Sequence, residues 1–506
     1  MSMNSESTDI LIVGSGPVGA TFARVLTERL PQCKVLMLDG GPRLTQQAGM
    51  HVMNISSLQE RSRAQRLSEG PVSAEMPSAL ERDIRAYPGT HLLDPKSNAF
   101  ATTGMPAAAM STNVGGMGAH WAGACPRPSM TERASFLSDE TWDTLLSAAE
   151  GLLQVTPCAF PPDTTSTGII AELRRVFGHK MTSDRPVDSM PLASTRAANG
   201  ERLWSGANTI LGRLADPETD PTAFELRAQT MCLRLVMNGH GIEYVLARDI
   251  ATQRDTKIYA RVVVVAADAL RTPQLLWGSG LRGEALGHYL NDHPQSKCII
   301  QLHETLAAQP SKLPTRTKPD PVLGMYWVPF TAPAHTFHGQ VVHLDHLPVA
   351  GDPAASRTEG HFAIVTWFCR KDLQYSDCLE FSDTEETLHG MPAVKIQYRL
   401  TEMDKTAMAA ARELIRRAAS GLGRIVDGLD VWTMPAGSSL HYQGTTRMGP
   451  ADDGTSVCDT YSQVWGTTNL FVGGNGVIST ATACNPTLTS VALAVRACER
   501  IVEMLA

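Results

Sequence analysis

The segment from Asp9 to Asp39 limits the fold of this chain more than any other stretch does. It begins with a short apolar run, Asp9 to Val13, which is followed by a glycine motif at residues 14–19 and by apolar residues at helical spacing. A second apolar run, Lys34 to Leu38, ends in Asp39. Apolar runs on either side of an amphipathic helix are typical of a βαβ unit. The sequence therefore predicts an α/β fold with a doubly wound sheet.

The glycine motif predicts a dinucleotide site at the start of that helix. Gly14 permits a tight turn, Gly16 lets the backbone approach a pyrophosphate, and Gly19 allows close packing of helix on strand. Val18 lies in the same first turn, where free amides and the helix dipole favour an anion. Asp39 is placed to hold ribose hydroxyls. The motif alone does not distinguish FAD from a nicotinamide dinucleotide.

The rest of the chain predicts a second, mainly β-sheet domain, which gives the fold an α+β character overall. Short β-type runs alternate with Pro/Gly turns between residues 291 and 400, as in Lys297–Leu302, Phe362–Phe368 and Val394–Leu400. The predicted organisation is a Rossmann-type dinucleotide-binding domain over 1–290 with a loop excursion at 45–130, a substrate-binding domain over 291–400, and a return to the first domain over 401–506. Helices are predicted over 138–155, 402–420 and 487–505.

Composition argues against several other classes of protein. The 506 residues carry 44 basic and 51 acidic side chains and no long basic run, which disfavours nucleic-acid binding. No apolar run approaches the roughly 18–20 residues of a membrane span, and the N-terminus does not resemble a secretory signal. The ten cysteines are scattered without a metal-like spacing. This pattern favours free thiols, no metal and a cytoplasmic location.

A second glycine-rich motif occurs at residues 113–123. Gly115, Gly116 and Gly118 precede His120, Trp121 and Ala122. Backbone without side chains can lie against a flat ring system, which predicts contact with a cofactor. The alternative is a surface loop that carries one exposed histidine.

A third motif places His441 in the segment 439–449, and Asn485 follows further along the chain. Because the pKa of histidine lies near neutrality, His441 can accept the proton of an alcohol. The amide of Asn485 can donate to the same oxygen. Two alternatives stay open, since Asn485 can be a helix-start residue and His441 can be one of many structural histidines among the fifteen in the chain.

Taken together, these segments resemble the glucose–methanol–choline (GMC) oxidoreductases, most closely the pyranose oxidase branch and its bacterial pyranose 2-oxidase and glycoside 3-oxidase members. The resemblance covers most of the chain and is strongest at both ends. The segments that carry it are STNVGGMGAHW, VVVVAADALRTPQLLWGSG, LGHYLNDHPQ and FVGGNGVISTATACNPTLTSVALA.

The resemblance implies a role for each matching position. FAD would be the cofactor, His441 the catalytic base, and Asn485 its partner at the flavin face. Asp39 would hold the adenosine ribose, and Cys232 would meet the adenine through its backbone. The remaining implied flavin contacts are Gly115, Gly116, Gly118, His120, Trp121, Ala122, Asn475 and Thr487.

The implied reaction is the oxidation of a secondary hydroxyl, at C3 or C2 of a sugar or glycoside, with hydride passing to the flavin and reoxidation by O₂ or another acceptor such as a quinone. Two alternatives are a dehydrogenase for another alcohol or polyol and an FAD-binding subunit of a complex. The chain can also form a homo-oligomer.

The covalent state of the cofactor is open at His120, which stands where sugar-oxidising relatives can join a histidine to the flavin. The small hydroxyl residue that commonly follows the His-Trp pair is Ala122 here. On the substrate side, Met325, Tyr326 and Trp327 can form an apolar platform for a sugar or a buried strand of the core.

Overall fold

The computed structural model describes residues 4–69, 89–93, 100–216, 218, 223–307, 320–347, 359–387, 389–427 and 429–506. The helices in these ranges are α1 (Pro17–Arg29), α2 (Leu58–Ser68), α3 (Asp139–Leu153), α4 (Thr164–Phe177), α5 (Ala207–Leu211), α6 (Asp268–Gly278), α7 (Glu402–Leu422) and α8 (Thr487–Leu505).

The strands, in chain order, are β1 (Asn4–Val13), β2 (Val35–Leu38), β3 (His91–Leu92), β4 (Phe100–Thr103), β5 (Ala109–Met110), β6 (Val155–Thr156), β7 (Asp188–Ser189), β8 (Leu192–Arg196), β9 (Arg202–Trp204), β10 (Phe224–Arg227), β11 (Thr230–Asn238), β12 (Gly241–Asp249), β13 (Arg254–Val265), β14 (Gln295–Leu302), β15 (Val322–Val328), β16 (Phe337–His346), β17 (Glu359–Cys369), β18 (Cys378–Glu386), β19 (Pro392–Gln397), β20 (Gly423–Ile425), β21 (Trp432–Thr433) and β22 (Leu470–Val472).

The first large sheet has the order β10-β2-β1-β13-β12-β11, and β22 pairs with β13. β1 runs parallel to both β2 and β13, with Ile12 opposite Met37 and Val264. The central strands are buried apolar runs, since α1 packs against β1 and β2, α8 packs against α1 and α3, and all of them belong to one large core. The predicted βαβ unit at the N-terminus is thus confirmed, and so is the predicted α/β class.

The second large sheet has the order β20-β14-β17-β16-β15-β7, and β21 pairs with β14. One face packs against α4 and α7 in a separate core that includes Cys298, Val365 and Trp367. Side chains alternate between the two faces of a strand. Gln295 is three positions from Cys298 and Phe368 is next to Trp367, so both face the opposite side of the sheet. The expectation of a second, mainly β unit is met.

Two details of the predicted organisation differ from the structure. Helix α7 and strands β20 and β21 belong to the second sheet, although the expected return to the first domain began at residue 401. The apolar stripe of α7 matches the apolar face of that sheet, which explains the position. The run Val394–Leu400 supplies β19, which pairs with β18 and β4 in a small separate sheet.

The predicted helices at 138–155, 402–420 and 487–505 are present as α3, α7 and α8. Ser138 caps α3 as expected, since its Oγ accepts a hydrogen bond from the backbone N–H of Thr141 at 3.2 Å. The ten cysteines are all free thiols, of which only Cys158 is exposed. Within the described ranges, no helix combines the length and apolar character needed to cross a bilayer.

Candidate active site

A cavity of about 810 Å³ lies between the carboxyl ends of β1 and β2 and residues of β14, β16 and β17. Most of the predicted site residues line it: Gly14, Gly16, Val18, Asp39, Gly116, Gly118, His120, Trp121, Ala122, Cys232, His441, Asn475, Asn485 and Thr487. Two predicted residues do not. Gly19 packs closely against the backbone of Gly14, and the backbone N–H of Gly115 donates to Oγ of Ser15 at 2.9 Å.

The first glycine loop admits no side chain at its two ends. At Gly14, φ is +100°, and an added Cβ would lie 2.3 Å from the carbonyl oxygen of Ala266. An added Cβ at Gly19 would lie 2.0 Å from the carbonyl oxygen of Gly14. Glycine at both positions lets α1 begin directly at the edge of the sheet, so that its N-terminal amides reach the cavity.

Asp39 lies at the end of β2 with both carboxylate oxygens engaged. The backbone N–H of Ser15 donates to Oδ2 at 3.1 Å, and that of Gly41 donates to Oδ1 at 2.8 Å. Burial raises the pKa of this carboxyl, whereas the hydrogen bonds oppose that shift. Cys232 lines the same end of the cavity, beside a bulge in β11 that interrupts its pairing with β12.

The second glycine loop is held by Asn113. Its Nδ2 donates to the carbonyl oxygen of Val114 at 2.8 Å, and its Oδ1 lies 3.3 Å from Nε2 of His120. Nδ1 of His120 faces the backbone of Gly89, where an added Cβ would lie 2.3 Å from this nitrogen. Burial lowers the pKa of His120 to about 4, so the ring is neutral at physiological pH.

Asn485 and His441 meet at the far end of the cavity. Nδ2 of Asn485 lies 3.3 Å from Nε2 of His441, and Nε2 of Gln340 donates to Oδ1 of Asn485 at 2.7 Å. The ring of Phe368 packs 5.6 Å from the His441 ring, centroid to centroid. Burial lowers the pKa of His441 to about 4, so its neutral, proton-accepting form prevails near pH 7.

Asp292 holds the loop that carries His441. One carboxylate oxygen accepts the backbone N–H of His441 at 2.9 Å and the hydroxyl of Ser439, and the other accepts the backbone N–H of Gly437 at 3.2 Å. Burial raises the pKa of Asp292 to about 6, although these hydrogen bonds oppose the shift. The loop is therefore fixed to the start of the second sheet.

His293 contacts the His441 ring from behind, with the two Nδ1 atoms 3.0 Å apart. An amide nitrogen only donates, so the contact from Asn485 requires an unprotonated Nε2 on His441. A neutral His441 then carries its proton on Nδ1 and donates it to His293. In that tautomer Nε2 of His293 carries a proton and donates it to Oγ1 of Thr482 at 3.1 Å. The amide nitrogen of Gln443 lies 2.9 Å from the same Nε2, so this tautomer requires the Gln443 amide to turn its oxygen toward His293.

Sequence reasoning did not single out Asp292, His293 and Gln340. The first two occur in the segment LNDHPQ, where three polar residues stand directly before an apolar strand. Gln340 interrupts the apolar strand β16. Buried polar residues in such places need partners, which is the signal that could have identified them. Of the two alternatives for Met325, Tyr326 and Trp327, the structure has the buried strand, since these side chains pack in cores and do not line the cavity.

Comparison with known families gives two matches. Both family models are described as GMC oxidoreductase, and they match residues 198–295 and 380–494. The first range ends at the start of β14, and the second contains His441 and Asn485.

Curated relatives match over nearly the whole chain. A C-glycoside 3-oxidase of Microbacterium trichothecenolyticum is 44% identical, over 98% of this chain and 96% of the relative. A pyranose 2-oxidase of Tricholoma matsutake is 28% identical, over 98% of this chain and 94% of the relative. Among solved structures, pyridoxine 4-oxidase from Mesorbium loti has a TM-score of 0.66 at 17% identity, over 97% of this chain and 99% of that one. At that identity the likeness concerns the fold.

Proposed function

This chain belongs to the glucose–methanol–choline oxidoreductase family, and from that premise we propose that it oxidises the C3 hydroxyl of a sugar or glycoside with FAD as cofactor. The observation that carries the proposal is the pair formed by His441 and Asn485 at the end of the large cavity. The relative at 44% identity is a C-glycoside 3-oxidase, which supports C3, whereas the relative at 28% identity is a pyranose 2-oxidase, which supports C2.

The cavity fits FAD on the evidence of its own residues. The cradle at Gly14 has no room for a Cβ, and the N-terminus of α1 faces the cavity, as a pyrophosphate site requires. Asp39 is assigned to the ribose and Cys232 to the adenine end. The second loop, with Gly116 and Gly118, is assigned to the flavin ring. When bound, FAD supplies the acceptor for the hydride that leaves the substrate carbon.

The protein's own part in the reaction is to hold and move one proton. Nε2 of His441 removes the hydroxyl proton, and the amide of Asn485 steadies the same oxygen. As His441 gains charge, its Nδ1–H remains donated to Nδ1 of neutral His293, which stabilises the imidazolium. Gln340 keeps the Asn485 amide oriented, and when the substrate arrives the 3.3 Å contact between Nδ2 of Asn485 and Nε2 of His441 gives way to the substrate hydroxyl.

We propose dioxygen as the electron acceptor, which is consistent with the oxidase names of the relatives. The alternative is a quinone. The two are separated by following hydrogen peroxide formation and quinone reduction with the same sugar.

The test of the proposed function is anaerobic reduction by a panel of free sugars and glycosides, followed through the visible flavin absorption. We expect glycosides to bleach the band, and product analysis to find the keto group at C3. A keto group at C2 would transfer the assignment to the pyranose 2-oxidase type. A yellow protein that no sugar reduces would contradict the proposal and favour another alcohol as substrate.

We propose further that FAD is held without a covalent bond to His120. Nε2 of its ring lies 3.3 Å from Oδ1 of Asn113, and Nδ1, which is buried and has no hydrogen-bond partner among the described residues, faces the backbone of Gly89. Acid precipitation of the yellow protein should therefore leave the flavin in the supernatant. The variant His120→Ala is the matched control and should release its flavin in the same way. A yellow precipitate from the wild type alone would contradict this prediction.

A further inference from the structure

Gln295 carries a buried amide at the cavity wall whose nitrogen has no partner. It is the first residue of β14 and is 6% exposed. In the described part of the chain, no acceptor is hydrogen-bonded to its Nε2. Buried amide nitrogens are almost always hydrogen-bonded in folded proteins. An unpaired one beside a cavity therefore indicates a polar ligand.

Strand pairing fixes where this amide lies. Gln295 stands opposite Phe368, and paired residues of antiparallel strands project from the same face. The ring of Phe368 packs against His441. On the chain itself, His293 precedes Gln295 by two residues and contacts the same His441 ring. Gln295 is thus on the cavity face of the second sheet, beside the ring that accepts the proton.

Two other buried glutamines of the same cavity wall have partners within the protein. Nε2 of Gln340 donates to Asn485 at 2.7 Å, and Nε2 of Gln274 donates to the carbonyl oxygen of Pro392 at 2.8 Å. These two amide nitrogens are satisfied by acceptors within the protein. The amide nitrogen of Gln295 has no such acceptor among the described residues.

We propose that Gln295 is a substrate-binding residue, whose amide binds a ring hydroxyl next to the one that His441 deprotonates. This inference rests on the proposed function and names the substrate class more closely, as pyranosides with an intact vicinal diol. An amide offers both donors and an acceptor, so it can engage a hydroxyl in either direction. A site built to bind a hydroxyl discriminates strongly against analogues that lack it, since the buried amide is then left unpaired.

The experiment is a thermodynamic cycle that combines one substitution in the protein with the removal of one hydroxyl from the substrate. Gln295→Leu removes the amide at similar volume. The probes are methyl β-D-glucopyranoside and its 2-deoxy and 4-deoxy analogues, which lack one or the other neighbour of the C3 hydroxyl. Anaerobic stopped-flow reduction gives the rate and the apparent Kd for each pair. The flavin spectrum and the reduction potential are recorded for both proteins.

For the intact glycoside, we expect the variant to raise the apparent Kd by about 10- to 100-fold, as loss of one buried hydrogen bond does. With one of the two deoxy analogues, the apparent Kd values of wild type and variant should differ by less than about twofold, because the hydroxyl that the amide binds is already missing. The absorption spectrum and the potential of the flavin should stay unchanged.

Three results would overturn the assignment. An unchanged apparent Kd for the intact glycoside would exclude the contact. An equal rise in the apparent Kd for all three probes would indicate a structural role for Gln295. A shifted flavin spectrum or potential would assign the amide to the cofactor instead. If no sugar reduces the wild type, the proposed function fails and this assignment fails with it. If the glycoside reduces the wild type and the Gln295→Leu variant has the same apparent Kd, only the assignment of Gln295 is rejected and the proposed function stands.

Discussion

His441→Ala should retain FAD and lose at least about 100-fold in the rate of flavin reduction, because removal of a general base costs about that much. The wild-type rate should depend on pH through the same residue. Burial lowers the pKa of His441 to about 4, so the base is neutral above that value and protonated below it. We therefore expect a rate that is constant from about pH 5 upward and falls below about pH 4. Anaerobic stopped-flow at a saturating sugar concentration measures both effects.

His288→Ala is the matched control for that variant. This histidine lies outside the cavity and stacks on Tyr375, so its loss should leave the rate within about twofold of the wild type. An active His441→Ala protein, within tenfold of the wild-type rate, would remove His441 from the proposed mechanism. A colourless one would indicate that the change acts on cofactor binding.

Gly14→Ala should produce a protein that no longer retains FAD and unfolds at lower temperature. The added Cβ would lie 2.3 Å from the carbonyl oxygen of Ala266, and the φ of +100° is strained for any residue with a side chain. Strain of this kind costs about 1–3 kcal/mol. Relief requires the loop to move away from the position that a pyrophosphate needs. The flavin absorption per protein after gel filtration and the thermal unfolding midpoint measure the two effects.

Gly283→Ala tests whether the effect is specific to that turn. Gly283 does not line the cavity, and an added Cβ there meets no atom within 4 Å among the described residues. This variant should therefore keep its flavin and its midpoint. If both variants bind FAD as the wild type does, the cradle at Gly14 does not determine cofactor binding.

The sequence predicts those parts of the fold that depend on local patterns. The strand, glycine turn and helix at the N-terminus were found because residue spacing alone specifies them, and α8 was placed with its observed bounds. The prediction that α7 belongs to the first domain was wrong, because an amphipathic stripe shows that a helix is packed against other elements but does not identify them. Likewise, β19 has the composition of a core strand, and only the pairing reveals that it joins a small third sheet.

In the candidate site, residue types predicted the histidine and the amide but not what holds them. The contact between His293 and His441 spans 148 positions of the chain, and that between Gln340 and Asn485 spans 145. No periodicity connects residues so far apart. What the sequence does contain is a set of polar residues at strand starts or within apolar strands, and their function depends on the register of the second sheet.

The second sheet and its helices come from stretches that are far apart in sequence. Helix α4 and strand β7 precede its main strands by more than a hundred positions, and α7, β20 and β21 follow them after β18 and β19. No single continuous segment of the chain therefore carries the substrate preference by itself. A chimera that exchanges only residues 291–400 with a relative would place a foreign sheet against native α4 and α7. Such a chimera would first lose the packing between the sheet and these helices, whatever its effect on substrate specificity. Transfer of the preference requires exchanging the separated stretches together, or changing single positions on the cavity face.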